Sequence, residues 1–183
     1  MTTIEHLGVI ESDIEKLIEY QIDFNAFIII CLGIEFLGSF SDDKPFNKKG
    51  QSEKRFKMGL KYFKNNWYKQ NKKILYEDFR GYLIHQYRPS SELYLTSTCK
   101  HGIPAENHLK ISNSKRIIVL EALFEDFKQA IQKFKNVIEK PNSLNKKKLE
   151  QNYTRIGPIK SPIDNNNYEM TGGTSNNISE LSK

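Results

Sequence analysis

The stretch Ile74-Leu75-Tyr76-Glu77-Asp78-Phe79-Arg80-Gly81-Tyr82-Leu83-Ile84-His85-Gln86-Tyr87-Arg88 sets an arginine and a histidine five positions apart in an apolar, helix-like run. Pro89 ends the run, because the residue before a proline is biased away from helical angles. A guanidinium can grip a phosphate through two parallel charge-assisted hydrogen bonds, and an imidazole can carry a proton near neutral pH. Together they suit RNA phosphodiester chemistry. Five residues of α-helix turn about 140° past a full turn, so on one regular helix the two side chains diverge. That divergence favours a site shared across a two-fold axis, where each copy of a homodimer contributes its pair.

Immediately upstream the chain is strongly basic. Residues 44–73 carry eleven Lys and Arg against Glu53 alone, whereas residues 1–43 carry nine acids against Lys16 alone. Ser52 can cap a helix over residues 53–64, with Phe56, Leu60 and Phe63 on one side and Lys54, Lys57, Lys61 and Lys64 at or near the other. Those four lysines, interleaved with aromatic residues, are the candidate RNA-binding strip. The same pattern also describes a solvated outer face over an aromatic inner one, or a surface complementary to the acidic first helix.

Further toward the N-terminus, Ser12 and Glu15 have capping-box spacing, which predicts one long first helix from about residue 13 to 38. Its second half is apolar nearly all round, as a core helix should be. The longest apolar run, residues 26–34, falls short of the about 20 residues that a membrane span needs. Glu35 follows it, and a buried carboxylate must find a partner. Arg80 or His85 is a candidate, and a solvated boundary position is the plainer alternative.

Downstream of Pro89, Leu93 and Leu95, then Leu109 and Ile111, alternate with polar residues, predicting a small hairpin across the loop between them. From about Ile117 an apolar stripe through Leu120, Leu123, Phe127, Ile131 and Phe134 predicts a strong amphipathic helix. Pro141 closes it. Residues 141–183 hold few large apolar groups and are expected to form a disordered polar tail, leaving 1–140 as the folded domain.

The Arg80–His85 spacing and the neighbouring Leu75-Tyr76, Phe79 and Leu83-Ile84 resemble the signature of the HEPN superfamily. The order of elements over about residues 13–140 resembles that family's arrangement as well. The resemblance implies a mainly α fold, a HEPN-like four-helix bundle with a small β-hairpin insertion. It also implies a metal-independent endoribonuclease acting as a homodimer in a defence or toxin–antitoxin setting. By the same resemblance Arg80 would bind the scissile phosphate and His85 would assist attack by the ribose 2′-hydroxyl. Directly after the arginine, where active members of the family carry Asn, Asp or His, this chain has Gly81.

Asp78, seven residues before His85, is a candidate to orient the imidazole, and Glu77 is placed to hold Arg80 in a local ion pair. The alternative from another class is a non-catalytic helical interaction or adaptor protein, in which Arg80 and His85 stabilise a helix interface. No cofactor is expected. Cys99, His101 and His108 lack the second short-spaced ligand pair of a structural zinc site, so no metal is expected either. Two cysteines and an acidic N-terminus without secretory-signal features point to the cytoplasm. Expected partners are RNA, a second copy of the chain and an antitoxin-type protein, with no membrane.

Overall fold

In the computed structural model, described for residues 1–138, 140 and 146–149, the chain is mainly helical with one small three-stranded sheet. Two helices stand where the sequence predicts one: α1 (Thr3–Glu19) and α2 (Asp23–Ser39). The capping box that operates is Thr2 with Glu5, not Ser12 with Glu15. A turn separates the helices, and Gln21 sits there at φ 56°. His6 meets Phe36 edge-on at 5.2 Å, so α1 and α2 lie antiparallel.

α2 is the hub and packs against α1, α3 (Ser52–Gly59), α6 (Tyr82–Gln86) and α8 (Leu120–Ile138). Phe27, Ile30, Ile34 and Leu37 are almost wholly buried. Contact with α3 is close enough to need glycine on both sides. A Cβ on Gly38 would lie 1.7 Å from the Arg55 carbonyl oxygen, and one on Gly59 would lie 1.9 Å from that of Ile34. On another face Phe127 of α8 lies against Gly33.

α3 runs on into a 3₁₀ turn (Leu60–Tyr62) and is followed by α4 (Asn66–Gln70) and α5 (Lys72–Ile74). The backbone then widens into a π-helical segment, Leu75–Gly81, before tightening again as α6. Tyr87, left-handed at φ 52°, ends α6 just ahead of Pro89.

The sheet corrects the expected hairpin. β1 (Leu93–Thr96) does not pair with the segment around Leu109; it lies parallel to β3 (Lys115–Val119), which in turn pairs antiparallel with β2 (Ile111–Ser112). A two-residue turn joins β2 to β3, with both Asn113 and Ser114 at positive φ, the geometry that matches strand twist. Ile117-Ile118-Val119 therefore belongs to a strand, and α8 begins only at Leu120. β-branched side chains fit a pleated surface, whereas periodicity alone joins them to the helical stripe that follows. Between β1 and β2 lie α7 (Thr98–His101) and a 3₁₀ turn (Ala105–Asn107).

Within the segment expected to be a disordered tail, Lys146–Leu149 forms a short helix, α9. The buried Lys148 ammonium donates to the Ser39 carbonyl at 2.5 Å and to Asp42 at 2.8 Å. Asp42 also takes Nε and Nη2 of Arg55, whose guanidinium further donates to the carbonyls of Lys44, Pro45 and Phe46. Burial pushes the Asp42 carboxyl up, but the hydrogen bonds from Arg55, Lys148 and the Lys44 N–H, with the Arg55 charge, outweigh it and hold the group well below the usual carboxylate range. The rest of the expected tail lies outside the described residues. Among the described residues no helix is long and apolar enough to cross a membrane.

Candidate functional site

The helical run around Arg80 is seated on α2 by Phe79, which meets Phe27 edge-on at 5.9 Å, and on α3 by Tyr76 beside Phe56. With Phe79 fixed in the core, the neighbouring Arg80 reaches along the surface of α2. Its Nη2 donates to Oε2 of Glu35 at 2.9 Å, and its guanidinium lies 5.5 Å from the centre of the Tyr76 ring. The Ser52 hydroxyl donates to the same Glu35 oxygen at 2.7 Å. Ser52 is thus spent on Glu35 rather than on the helix cap that the sequence suggests; no side chain caps α3.

Arg80 Nη1 lies 3.4 Å from His85 Nε2. Regular α-helix would turn the two apart. The π-helical segment ends at Gly81 and His85 stands on α6, so the backbone between the two residues is largely regular; the long arginine side chain spans the angular gap, and both groups meet within one chain. Because guanidinium only donates, this contact is a hydrogen bond when Nε2 is unprotonated, the form that can accept a further proton. His85 is exposed, while the side chains of Arg80 and Glu35 retain 10% and 23% exposure. The cluster therefore opens to solvent on its histidine side. Arg80 Nε is buried and without a hydrogen-bond partner, so internal contacts leave the guanidinium unsaturated.

Cys31 lies one helical turn before Glu35 and is fully buried. Burial pushes its thiol well up, against the pull of the Arg80 charge, leaving an unreactive group beneath the cluster. A groove of about 180 Å³, lined by Leu32, Phe36, Phe46 and Arg55, also includes Glu35 in its wall.

The other candidates fall elsewhere. Asp78 is not joined to His85 by any hydrogen bond or ion pair among the described residues. Burial raises its carboxyl, and it senses Ser90, Glu92 and Glu77 instead. Glu77 is exposed, and Arg80 pairs with Glu35 rather than with it. Lys54, Lys61 and Lys64 are exposed, while Lys57 is paired with Glu53. The aromatics of the basic segment largely serve the core: Phe56, Phe63 and Tyr68 are buried.

His108 is accounted for by a structural network. Its Nδ1 accepts the Val119 N–H at 3.0 Å, so in the neutral ring Nε2 carries the proton and donates to the Tyr68 hydroxyl at 2.6 Å. Tyr68 in turn donates to Asp126 at 2.6 Å. Burial lowers the His108 pKa to about 4, so its 3.8 Å approach to Asp126 is not an ion pair at neutral pH. Cys99 lies by Glu121, and His101 lies 3.5 Å from the Ser97 hydroxyl. No group of three or more metal-ligating side chains converges among the described residues.

Ser52 and Tyr76 are members of the cluster that the sequence did not mark. Serine before an acid reads as a helix cap, and a tyrosine in an apolar run reads as core. Compared with protein families, with curated proteins and with solved structures, the chain gives no match.

Proposed function

We propose that this chain is a HEPN-like RNA-binding protein that cleaves RNA without a metal, as a homodimer, in a defence or toxin setting where an antitoxin-type partner restrains it. The observation that carries the reading is the meeting of an exposed imidazole with an anchored guanidinium, His85 Nε2 against Arg80 Nη1 at 3.4 Å. A phosphodiester approaching His85 meets a fixed positive charge at the same point. His85 takes the proton of the ribose 2′-hydroxyl, and the freed oxygen attacks phosphorus. The bond to the 5′-oxygen breaks, leaving a 2′,3′-cyclic phosphate. Arg80 balances the charge that builds on the phosphoryl oxygens, and Glu35 with Ser52 holds the guanidinium against rotation.

One histidine cannot accept the 2′-hydroxyl proton and protonate the leaving 5′-oxygen in the same step. A second copy of the chain supplies the second imidazole, which is the chemical argument for the dimer.

A second reading is favoured by the Glu35–Arg80 ion pair itself: a non-catalytic interaction protein in which Arg80 locks the π-helical segment to α2. Gly81, which puts no polar group beside the arginine, agrees with it. Incubating the purified chain with RNA in EDTA and analysing the product ends separates the two. Fragments ending in 2′,3′-cyclic phosphate support the nuclease. Intact RNA of varied sequence and structure, with the chain binding a protein partner instead, supports the interaction protein.

A further inference from the structure

The basic segment has lysines to offer an RNA strand but has spent Phe56, Phe63 and Tyr68 on the core. An exposed ring stands instead on the sheet. Tyr94 pairs in register with Ile117 across β1 and β3, and Ser112 pairs with Lys115 across β2 and β3, so all four share the outer face. Tyr94 is 58% exposed there. Beside it lies a pocket of about 410 Å³, within the size range of small-ligand sites.

The chemistry of the lining is specific. Tyr94, Ile117 and Ile103 give an apolar, partly aromatic wall; Thr96, Ser112 and Asn113 supply hydroxyl and amide groups able to donate and accept. Lys115 is the one charged side chain of the described lining, with no carboxylate to neutralise it. Asn113 is fixed at the rim by the positive-φ turn between β2 and β3. A flat heteroaromatic ring with polar edges and an attached anion matches that set. Single-stranded RNA presents such a unit at each unpaired residue, whereas a duplex hides its base faces.

We propose that this pocket holds one unpaired nucleotide of a single-stranded RNA, its base stacked on Tyr94 and its phosphate at Lys115. The inference shares the RNA class with the function proposed above but uses none of the residues of the Arg80–His85 cluster.

The test is fluorescence anisotropy of the full chain, in EDTA, with a short single-stranded 2′-O-methyl oligonucleotide, which lacks the nucleophile and stays intact. Tyr94→Ala should weaken binding by about 5- to 150-fold, and Tyr94→Phe should retain wild-type affinity because the π-face remains. Lys115→Gln should lower the slope of log affinity against log salt by about 0.7. A duplex of the same sequence should bind with no dependence on Tyr94.

Unchanged strand affinity in Tyr94→Ala, or no strand binding by the wild-type chain, overturns the proposal. So does Tyr94-dependent binding of free nucleoside monophosphates without Tyr94-dependent binding of the strand. RNA cleavage with unchanged Tyr94→Ala binding would sink this pocket alone, while Tyr94-dependent binding without cleavage would sink the nuclease alone.

Discussion

At the residue scale, the meaning of Arg80 depends on what it holds and what it leaves open. Removing it strands Glu35 with only the Ser52 hydroxyl, so Arg80→Ala should cost about 1.5–3 kcal/mol in urea unfolding, apart from any effect on catalysis. Arg80→Lys keeps the charge and loses the planar fork; it should unfold closer to wild type yet lose cleavage. His85 is exposed and holds nothing in the core, so His85→Ala should leave stability within about 0.5 kcal/mol.

His108 makes the opposite prediction. Its folded pKa of about 4 lies below the ordinary value near 6.5, so between those values the unfolded chain binds more protons. The stability it contributes is fully present above the ordinary value and is lost as pH falls toward 4. His108→Gln should flatten that part of the stability–pH curve. The sequence made Arg80, His85 and Glu35 legible because their chemistry stands out among apolar neighbours. Ser52 and the role of His108 are not legible, because Glu35 lies 17 residues from Ser52 and Tyr68 lies 40 from His108, whereas Tyr76, close to Arg80 in sequence, is masked by the apolar run around it.

At the scale of elements, two local geometries assemble the cluster. The first is the α2–α3 crossing, where Gly38 and Gly59 let backbones approach and bring Ser52 to Glu35. Gly38→Ala places a Cβ on the Arg55 carbonyl, which is backbone and cannot swing aside. It should cost about 3 kcal/mol or more by thermal or urea unfolding. The second is the continuous run from the π-helical segment into α6, along which the long Arg80 side chain reaches His85. Spacing arguments compare the directions in which side chains leave the helix, so the expectation of divergence fails where a long guanidinium arm spans the difference. The division of the first helix leaves no mark in the hydrophobic pattern. A non-glycine residue, Gln21, takes the left-handed turn, and an unbroken periodic pattern gives no notice of it. β3 is hidden in the sequence because its apolar run merges with the stripe of α8.

At the scale of the whole molecule, the acidic, basic and apolar segments resolve into a helical body with α2 at its centre and a small sheet beside it. The helical class follows from patterning alone, because α2 and α8 carry apolar surface that only helix packing buries. The docking of α9 does not, since a lysine-rich segment reads as solvated until Asp42 is seen to receive Lys148. Lys148→Ala should lower the urea midpoint, costing about 1.5–3 kcal/mol, with the unfolding slope unchanged. Sedimentation of the full chain tests the shared-cleft mechanism, which expects a dimer.

The most direct measurement is the rate of RNA cleavage in EDTA by the wild-type chain and by His85→Ala, with circular dichroism and unfolding confirming both folded. The account predicts cleavage by wild type and a rate lower by at least about 10²-fold in the variant. Equal rates, or intact RNA with both proteins, would contradict it.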